Sequence, residues 1–399
     1  MARNDPTSAA DRLPKVSSTL RRIADACDDP DSGTVWARVI RWARRLGRMI
    51  FWAHFICLFA GLAVLYGVAE RNILTATCLY LPRGLWLFPA ILVAPLLLPL
   101  NRRLLIFHLV SVAAAAVLLF GLPGRGSNTI PKPTTSTTTP DSLVVMSYNR
   151  GQHQNQSLQP FKNTIEPDIL VFQEAGRRAA KFKEAETYSE FTHVIGVAEF
   201  VVLSRYPFVG EPESIELTAG ELETTLGRVS IDVSGRQITL YAVHLPTPRA
   251  VLGQNIRGGA LYGVLGFPGS PFRDRAISQT NYWDTRTELV KTLLERVATE
   301  TSPTLLVGDF NAPSGGYVHR LLTEACLDGH EEAGSGKGFT FPGTTRNPLS
   351  LGGPWMRLDY ILASRQPGGL EFSHFVTEAK RPSQHRAIAA RVVFTNPSP

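Results

Sequence analysis

Paired cysteines are what this chain most plainly lacks: Cys27, Cys57, Cys78 and Cys326 are scattered singly through 399 residues. Their spacing excludes a disulfide framework and the usual zinc clusters. A surplus of positive charge is missing where a nucleic-acid binder would carry one. The net charge of +7 divides into +9 before Asp141, from 16 Lys/Arg and 7 Asp/Glu, and −2 from Asp141 onward, from 25 and 27. The basic pI therefore belongs to the N-terminal third, beside apolar segments, and lends no support to DNA binding by the larger part. A cleavable signal peptide is not expected either, because the polar stretch 1–48 precedes the first apolar run.

Long apolar runs, in contrast, are present. Residues 49–69 carry no Asp, Glu, Lys or Arg, over about the 20 residues that a bilayer crossing takes. Residues 104–122 are similar. Residues 84–100 are shorter and contain Pro89, Pro95 and Pro99, yet extend toward Ile73 if Arg83 lies near an interface. Three transmembrane helices are expected. Arg38, Arg41, Arg44, Arg45 and Arg48 precede the first, and Arg102 and Arg103 lie between the second and third. Three crossings put both clusters on one side, the cytoplasmic one by the positive-inside rule, and everything after Leu122 outside. Should the middle segment not cross, the large domain faces inward. The Pro-, Thr- and Ser-rich stretch that follows, with Thr134, Thr135, Ser136, Thr137, Thr138 and Thr139, reads as a linker. The expected organisation is a polar tail at 1–48, a membrane domain at 49–122, a linker at 123–141 and a large folded domain at 142–399.

Within that domain, apolar runs of strand length occur at 143–149 (LVVMSYN), 168–173 (DILVFQ), 200–204, 226–233, 238–245, 304–307, 357–363 and 387–394. Residues 284–299 have the period of an amphipathic helix, with Leu289, Leu293, Leu294 and Val297 on one face. Periodicity alone gives an α/β or α+β class. Several strands end in a polar side chain, as α/β folds do where they present site residues at a sheet rim.

Those terminal residues carry the functional reading. Asn149 in SYN, Glu174 in FQE, LSRYP at 203–207, His244 in AVHLP, Asp309 and Asn311 in GDFN, Asp359 in RLDYIL and His385 in SQH follow one another along the chain. In kind and order the set resembles the endonuclease/exonuclease/phosphatase superfamily over nearly all of 142–399. The resemblance implies a four-layer α/β/β/α sandwich and metal-dependent hydrolysis of a phosphoester. Physical chemistry points the same way. Phosphoester cleavage needs the phosphoryl charge neutralised, a water activated and the leaving oxygen assisted. Mg²⁺, with Mn²⁺ as a substitute, takes hard oxygen ligands and one or two carboxylates. Glu174 is the first candidate ligand, with Asn149 offering an amide oxygen beside it. Asp309 and Asn311, read as an extended segment, point to one side, one to orient or deprotonate water and the other to bind a phosphoryl oxygen. His385 with Asp359 forms a pair in which the carboxylate fixes the tautomer and raises the imidazole pKa. The resemblance implies the same pairing.

It also likens His244 to the second active-site histidine of the branch that includes pancreatic deoxyribonuclease and the neutral sphingomyelinases. One departure stands out: the family's Ser-Asp-His is here Ser383, Gln384, His385, so a carboxylate commonly linked to the metal becomes a neutral amide that can still ligate. A catalytically weakened, membrane-anchored binding or sensing module is therefore the alternative to an active phosphodiesterase. The partners expected are a phosphoester, in a lipid head group or a nucleic acid, and the bilayer itself, with no obligate protein partner evident. Arg205 reads as structural, and Arg286 as part of a solvated helix face, with reach to the site as the alternative. Gln152, His153 and Asn155 are given no role. Residues 246–282, an insertion directly after the His244 segment, carry Arg249, Arg257, Arg273 and Arg275 around the apolar stretch 261–267. Packing on the domain is the favoured reading of that stretch, with contact to the bilayer or a lipid substrate as the alternative.

Overall fold

The computed structural model of the chain describes residues 18, 22, 34–121, 129–131, 141–151, 158–343, 353–381 and 383–395. The linker run 134–139, most of the polar tail, and Gln152, His153 and Asn155 lie outside the described residues.

Helix α1 (Val35–Val68) continues as one 3-10 turn to Arg71. It is followed by α2 (Ile73–Leu79), whose first turn is capped by the Asn72 side chain accepting from Leu74 N, then by α3 (Phe88–Leu100) and α4 (Arg102–Phe120). Val35–Arg71 and Arg102–Phe120 are long and apolar enough to cross a membrane, and a third span exists if Ile73–Leu79 and Arg83–Leu98 count together as one broken segment. Contacts divide the chain into two units, Met1–Ala63 with Gly84–Leu119, and Val64–Arg83 with Phe120–Pro399. The first packs α1 on α3 through Phe51, Val93 and Leu97. The loop between the first two apolar stretches thus belongs to the second unit.

That second unit is built on two six-stranded sheets. The strands are β1 (Ser142–Asn149), β2 (Ile169–Gln173), β3 (His193–Val197), β4 (Phe200–Ser204), β5 (Phe208–Ala219), β6 (Leu222–Val233), β7 (Arg236–His244), β8 (Thr304–Asp309), β9 (Cys326–Asp328), β10 (Asp359–Ser364), β11 (Leu370–Thr377) and β12 (Ile388–Phe394). Their order is β11-β12-β1-β2-β4-β3 in one sheet and β5-β6-β7-β8-β10-β9 in the other. The central strands β1, β2, β8 and β10 are buried at nearly every position because both faces are covered. On β1, Leu143 and Val145 face the other sheet, where Val229, Ile231, Leu240, Val307 and Ile361 meet them. Val144, Met146 and Tyr148, at the alternate positions, pack with Phe161 and Phe182 of α5 (Phe161–Ile165) and α6 (Ala179–Glu184). Behind the second sheet lie α9 (Arg273–Val297) and α10 (Tyr317–Ala325), which cover Tyr241, Val243, Leu306 and Tyr360 with Leu289, Leu293, Val318 and Leu322. The four layers are those expected. Between β7 and α9 the insertion forms α7 (Arg249–Ile256) and α8 (Tyr262–Leu265).

Each sheet holds one parallel pair, β1 with β2 and β7 with β8. Parallel neighbours end at the same rim, and this register assembles the site. Asn149 lies opposite Gln173, with Glu174 next in the chain. His244 lies opposite Asp309, and β10, running the other way, begins at Asp359 opposite the same Asp309. The approach is close: at Gly308 (φ +150) a Cβ would lie 1.9 Å from Val243 O. Only glycine fits there.

Candidate functional site

Asp309 is the centre of the cluster. It is 1 % exposed, and both carboxylate oxygens are held: Asn311 N donates to Oδ1 at 2.8 Å and Asn149 Nδ2 to Oδ2 at 3.0 Å. The Asn311 bond is an Asx turn, and it ends the strand. Asn311 takes φ +48, so GDFN is not extended through Asn311 as its sequence suggested. The Asn311 amide turns to donate to Leu245 O at 2.9 Å. Asn149 is occupied at both ends, its Oδ1 accepting from Gly151 N at 2.9 Å.

Two histidines converge on the same carboxylate oxygen. His385 Nε2 is 3.6 Å and His244 Nε2 3.8 Å from Asp309 Oδ2. Each presents its other ring nitrogen to a second carboxylate: His385 Nδ1 to Asp359 at 3.0 Å, His244 Nδ1 to Glu199 at 2.7 Å. Burial, the largest influence on both rings, opposes their charge. For His385 the neighbouring Asp359 and Asp309 outweigh it, with help from Glu174, and push the ring up to about 9. For His244 the Glu199 hydrogen bond, Asp309 and Glu174 do the same, again to about 9. Glu174 raises both rings, so its carboxylate lies within electrostatic reach of each. It follows β2 directly in a left-handed conformation, φ +52, as Asn311 does after β8. Two such residues at one rim store backbone strain of about 1–3 kcal/mol each. Asp359 is itself raised, by burial first and by Asp309 next, with His385 opposing.

The donor set suits a divalent ion. Asp309, Asp359 and His385 offer ligand atoms that all lie within 4.8 Å of one another. Four carboxylates, those of Glu174, Glu199, Asp309 and Asp359, stand against two imidazoles, so an excess of negative charge remains even with both rings protonated. A hard dication is the complement of such a site. Gln384 differs from the others: it is exposed between buried Ser383 and His385, and its backbone carbonyl accepts from Gly343 N at 2.5 Å. Beside His244 opens a cleft of ≈ 720 Å³ lined by Arg177, Glu199, Glu223, Thr224 and Thr247.

Three contributors stand outside the favoured set. Glu199 immediately precedes β4, and because β4 runs antiparallel to β2 it arrives at the rim where β2 ends. Without that pairing it has no signature. Arg286 corrects an expectation: it is 0 % exposed and donates to Phe310 O at 3.0 Å, Asn311 O at 2.8 Å and Pro246 O. Its signal was its place on the apolar stripe of α9 with Trp283, Val290, Leu293 and Val297. Tyr80 reaches the same carbonyl from the segment before α3, its hydroxyl donating to Asn311 O at 2.8 Å. Around it, Arg83 Nη2 donates to Ser314 O at 3.0 Å, Glu70 accepts from Tyr317 N, and Trp355 Nε1 donates to Tyr80 O at 3.2 Å. Arg205, by contrast, is structural as expected, its Nε donating to Pro167 O at 3.2 Å.

Residues 149–385 match the model of the Endonuclease/Exonuclease/phosphatase family. Among solved structures, truncated TDP2 of Caenorhabditis elegans is similar at 20 % identity and TM-score 0.44, covering 63 % of this chain and 97 % of that one. An endonuclease/exonuclease/phosphatase from Beutenbergia cavernae is similar at 17 % identity and TM-score 0.43, covering 64 % and 72 %. A family protein from Leptotrichia buccalis is similar at 16 % identity and TM-score 0.42, covering 63 % and 100 %. No curated protein matches by sequence.

Proposed function

Because the chain belongs to the endonuclease/exonuclease/phosphatase family, we infer that it is a membrane-anchored, magnesium-dependent phosphoesterase that hydrolyses a phosphodiester by in-line attack of water. The observation that carries this is the convergence of two carboxylate-backed imidazoles on one oxygen of Asp309. Glu174, with amide oxygens of Asn149 and Gln384, would hold the ion. Bound Mg²⁺ neutralises phosphoryl charge and polarises the ester. His385, held by Asp359, offers Nε2–H to a non-bridging phosphoryl oxygen. Asp309, fixed by Asn149 and the Asn311 backbone, takes a proton from the attacking water, and Asn311 supports the phosphoryl group. His244, held by Glu199, gives its Nε2 proton to the departing oxygen as the P–O bond breaks. With both rings raised to about 9, each carries that proton at neutral pH.

Anchoring follows from α1 and α4. Val64–Arg83 and Phe120–Pro399 belong to one unit, so whatever lies between them leaves and returns on one side of a membrane. If α4 crosses, the segment before it crosses too. That supports three spans, with Arg38–Arg48 and Arg102–Arg103 on the cytoplasmic side and the phosphoesterase domain outside. A C-terminal reporter fusion active only inside the cell would overturn this orientation.

The activity is tested with bis(p-nitrophenyl) phosphate and p-nitrophenyl phosphate, with Mg²⁺ and with EDTA. Wild type should hydrolyse the diester only with the ion, and His385→Ala should be slower by about 10²–10⁴-fold. Equal rates for the two proteins would leave the binding or sensing module as the better reading.

A further inference from the structure

The insertion that leaves the rim after His244 presents an apolar edge on the outside of its unit. Ile256 is 68 % exposed, Leu261 56 %, Val264 60 % and Phe267 60 %. One exposed apolar side chain needs no explanation, but four of them on two short helices and the adjoining turn mark a contact surface. Arg249, Arg257, Arg273 and Arg275 are exposed around them, against the single carboxylate of Asp274.

Where the chain fixes this edge says what covers it. Gly263 in α8 abuts α2, so that a Cβ there would lie 3.1 Å from Leu74 N and 3.3 Å from Ile73 Cβ. Asn255, near the end of α7, donates to Thr77 Oγ1 at 2.9 Å in a buried bond. Leu74 follows closely on Arg71, where the first candidate span ends, and three residues reach at most about 10 Å. The headgroup layer on each side of the hydrocarbon is about 5–7 Å deep. With α1 crossing a bilayer, the edge is therefore held near headgroup depth by the protein's own anchor. An apolar face flanked by arginines is the composition that enters this layer, the apolar groups reaching the acyl boundary and the arginines meeting lipid phosphates.

We propose that residues 246–282 dock their apolar edge onto the bilayer in which the chain is anchored, so that the cleft beside His244 receives the phosphoester of a membrane lipid. The docking stands on exposure and on the α2 contacts; the choice of a lipid rests on the hydrolytic function inferred above. A nucleic acid fits this cleft poorly, since the three carboxylates of Glu199, Glu216 and Glu223 line it against Arg177 and His244. A polyanion laid along it would meet net negative walls.

The test uses the full chain in nanodiscs of phosphatidylglycerol and phosphatidylethanolamine, with a photo-reactive phenylalanine analogue at position 264 or 267, or at Gln237 on the far end of β7 as the control. Irradiation should give lipid adducts at 264 and 267 and none at 237, and should do so equally in a His385→Ala background. Absence of lipid adducts at both positions, or adducts only to a second copy of the chain, overturns the docking. In parallel, Val264→Asp and Phe267→Asp should lower the ratio of vesicle-lipid to bis(p-nitrophenyl) phosphate hydrolysis at least about tenfold, the equivalent of one lost apolar burial. An unchanged ratio, or cleavage of the soluble diester with no cleavage of lipid, overturns the lipid substrate. Cleavage of neither overturns the hydrolytic function and the lipid substrate with it, and the adducts then decide the docking alone.

Discussion

Removing the divalent ion should make the protein lose stability as pH rises from about 6.5 to about 9, the reverse of the usual acid sensitivity of a carboxylate-rich site. His244 and His385 both have folded-state pKa values of about 9 against an ordinary 6.5. The folded state therefore binds more protons than the unfolded state within that window, and stability falls with pH there. Below 6.5 the contribution is fully present; above 9 it is gone. A shift of this size is worth about 3 kcal/mol for one ring. Both rings act on Asp309, so the two contributions are not additive, and one ring's worth is the floor. At about 2–4 °C per kcal/mol for a domain of this size, the melting temperature in EDTA should drop by about 6–12 °C. The assay is thermal unfolding followed by tryptophan fluorescence in detergent. Glu199→Gln replaces the carboxylate behind His244 with a neutral, weaker acceptor and should flatten part of the slope. Saturating Mg²⁺ should flatten it further, since a bound dication disfavours the imidazolium. A melting temperature that is level or rising between pH 6.5 and 9 in the metal-free protein would refute the reasoning.

Other consequences can be measured by unfolding or kinetics. Arg286→Met leaves the carbonyls of Pro246 and Phe310 without their Arg286 donor and Asn311 O with Tyr80 alone, and should cost about 3–5 kcal/mol, with a fall in hydrolysis that Arg286→Lys only partly restores. Gly308→Ala puts a methyl group against Val243 O at a φ reserved for glycine; a destabilisation of at least about 3 kcal/mol, or insoluble protein, is expected. Arg357 Nη1 lies 2.7 and 2.6 Å from the two oxygens of Asp328, and His319 Nε2 lies 2.9 Å away. Arg357→Met should therefore cost about 3–5 kcal/mol by stranding a buried carboxylate, and a melting temperature within 2 °C of wild type would contradict that. Gln384→Asp should lower the Mg²⁺ concentration for half-maximal activity; no change in the titration would show that position 384 has no part in holding the ion.

The strands legible in the sequence and those that were not differ in one physical respect. The eight read from apolar runs, β1, β2, β4, β6, β7, β8, β10 and β12, are all interior to their sheets, and the four missed, β3, β5, β9 and β11, are the four edges. An edge strand has solvent on one side and is kept polar, bent or short against mispairing. In β5 this takes the form of three glutamates with Gly210 and Pro212, in β11 a register shift between Phe372 and His374, and β9 has only three residues. The site was legible for a related reason. Glu174, His244, Asp309 and Asp359 stand at the ends of the readable strands, where a polar residue interrupts an apolar run. Glu199 lies in the turn before a strand whose partner could not be known, and Tyr80 comes from a segment whose apolar character spoke for the membrane alone.

The assignment of Val64–Arg83 to the same unit as the sheets has a practical consequence. A soluble fragment cut at the Thr-rich tether would not be a smaller copy of the same machine. It would arrive with Trp355 Nε1 and the Ser314 carbonyl missing their partners, and with Asn311 O gripped from one direction instead of two. An expression design that keeps this piece, grafted ahead of the first strand or supplied as a separate peptide, would preserve the back wall of the reaction chamber without the lipid.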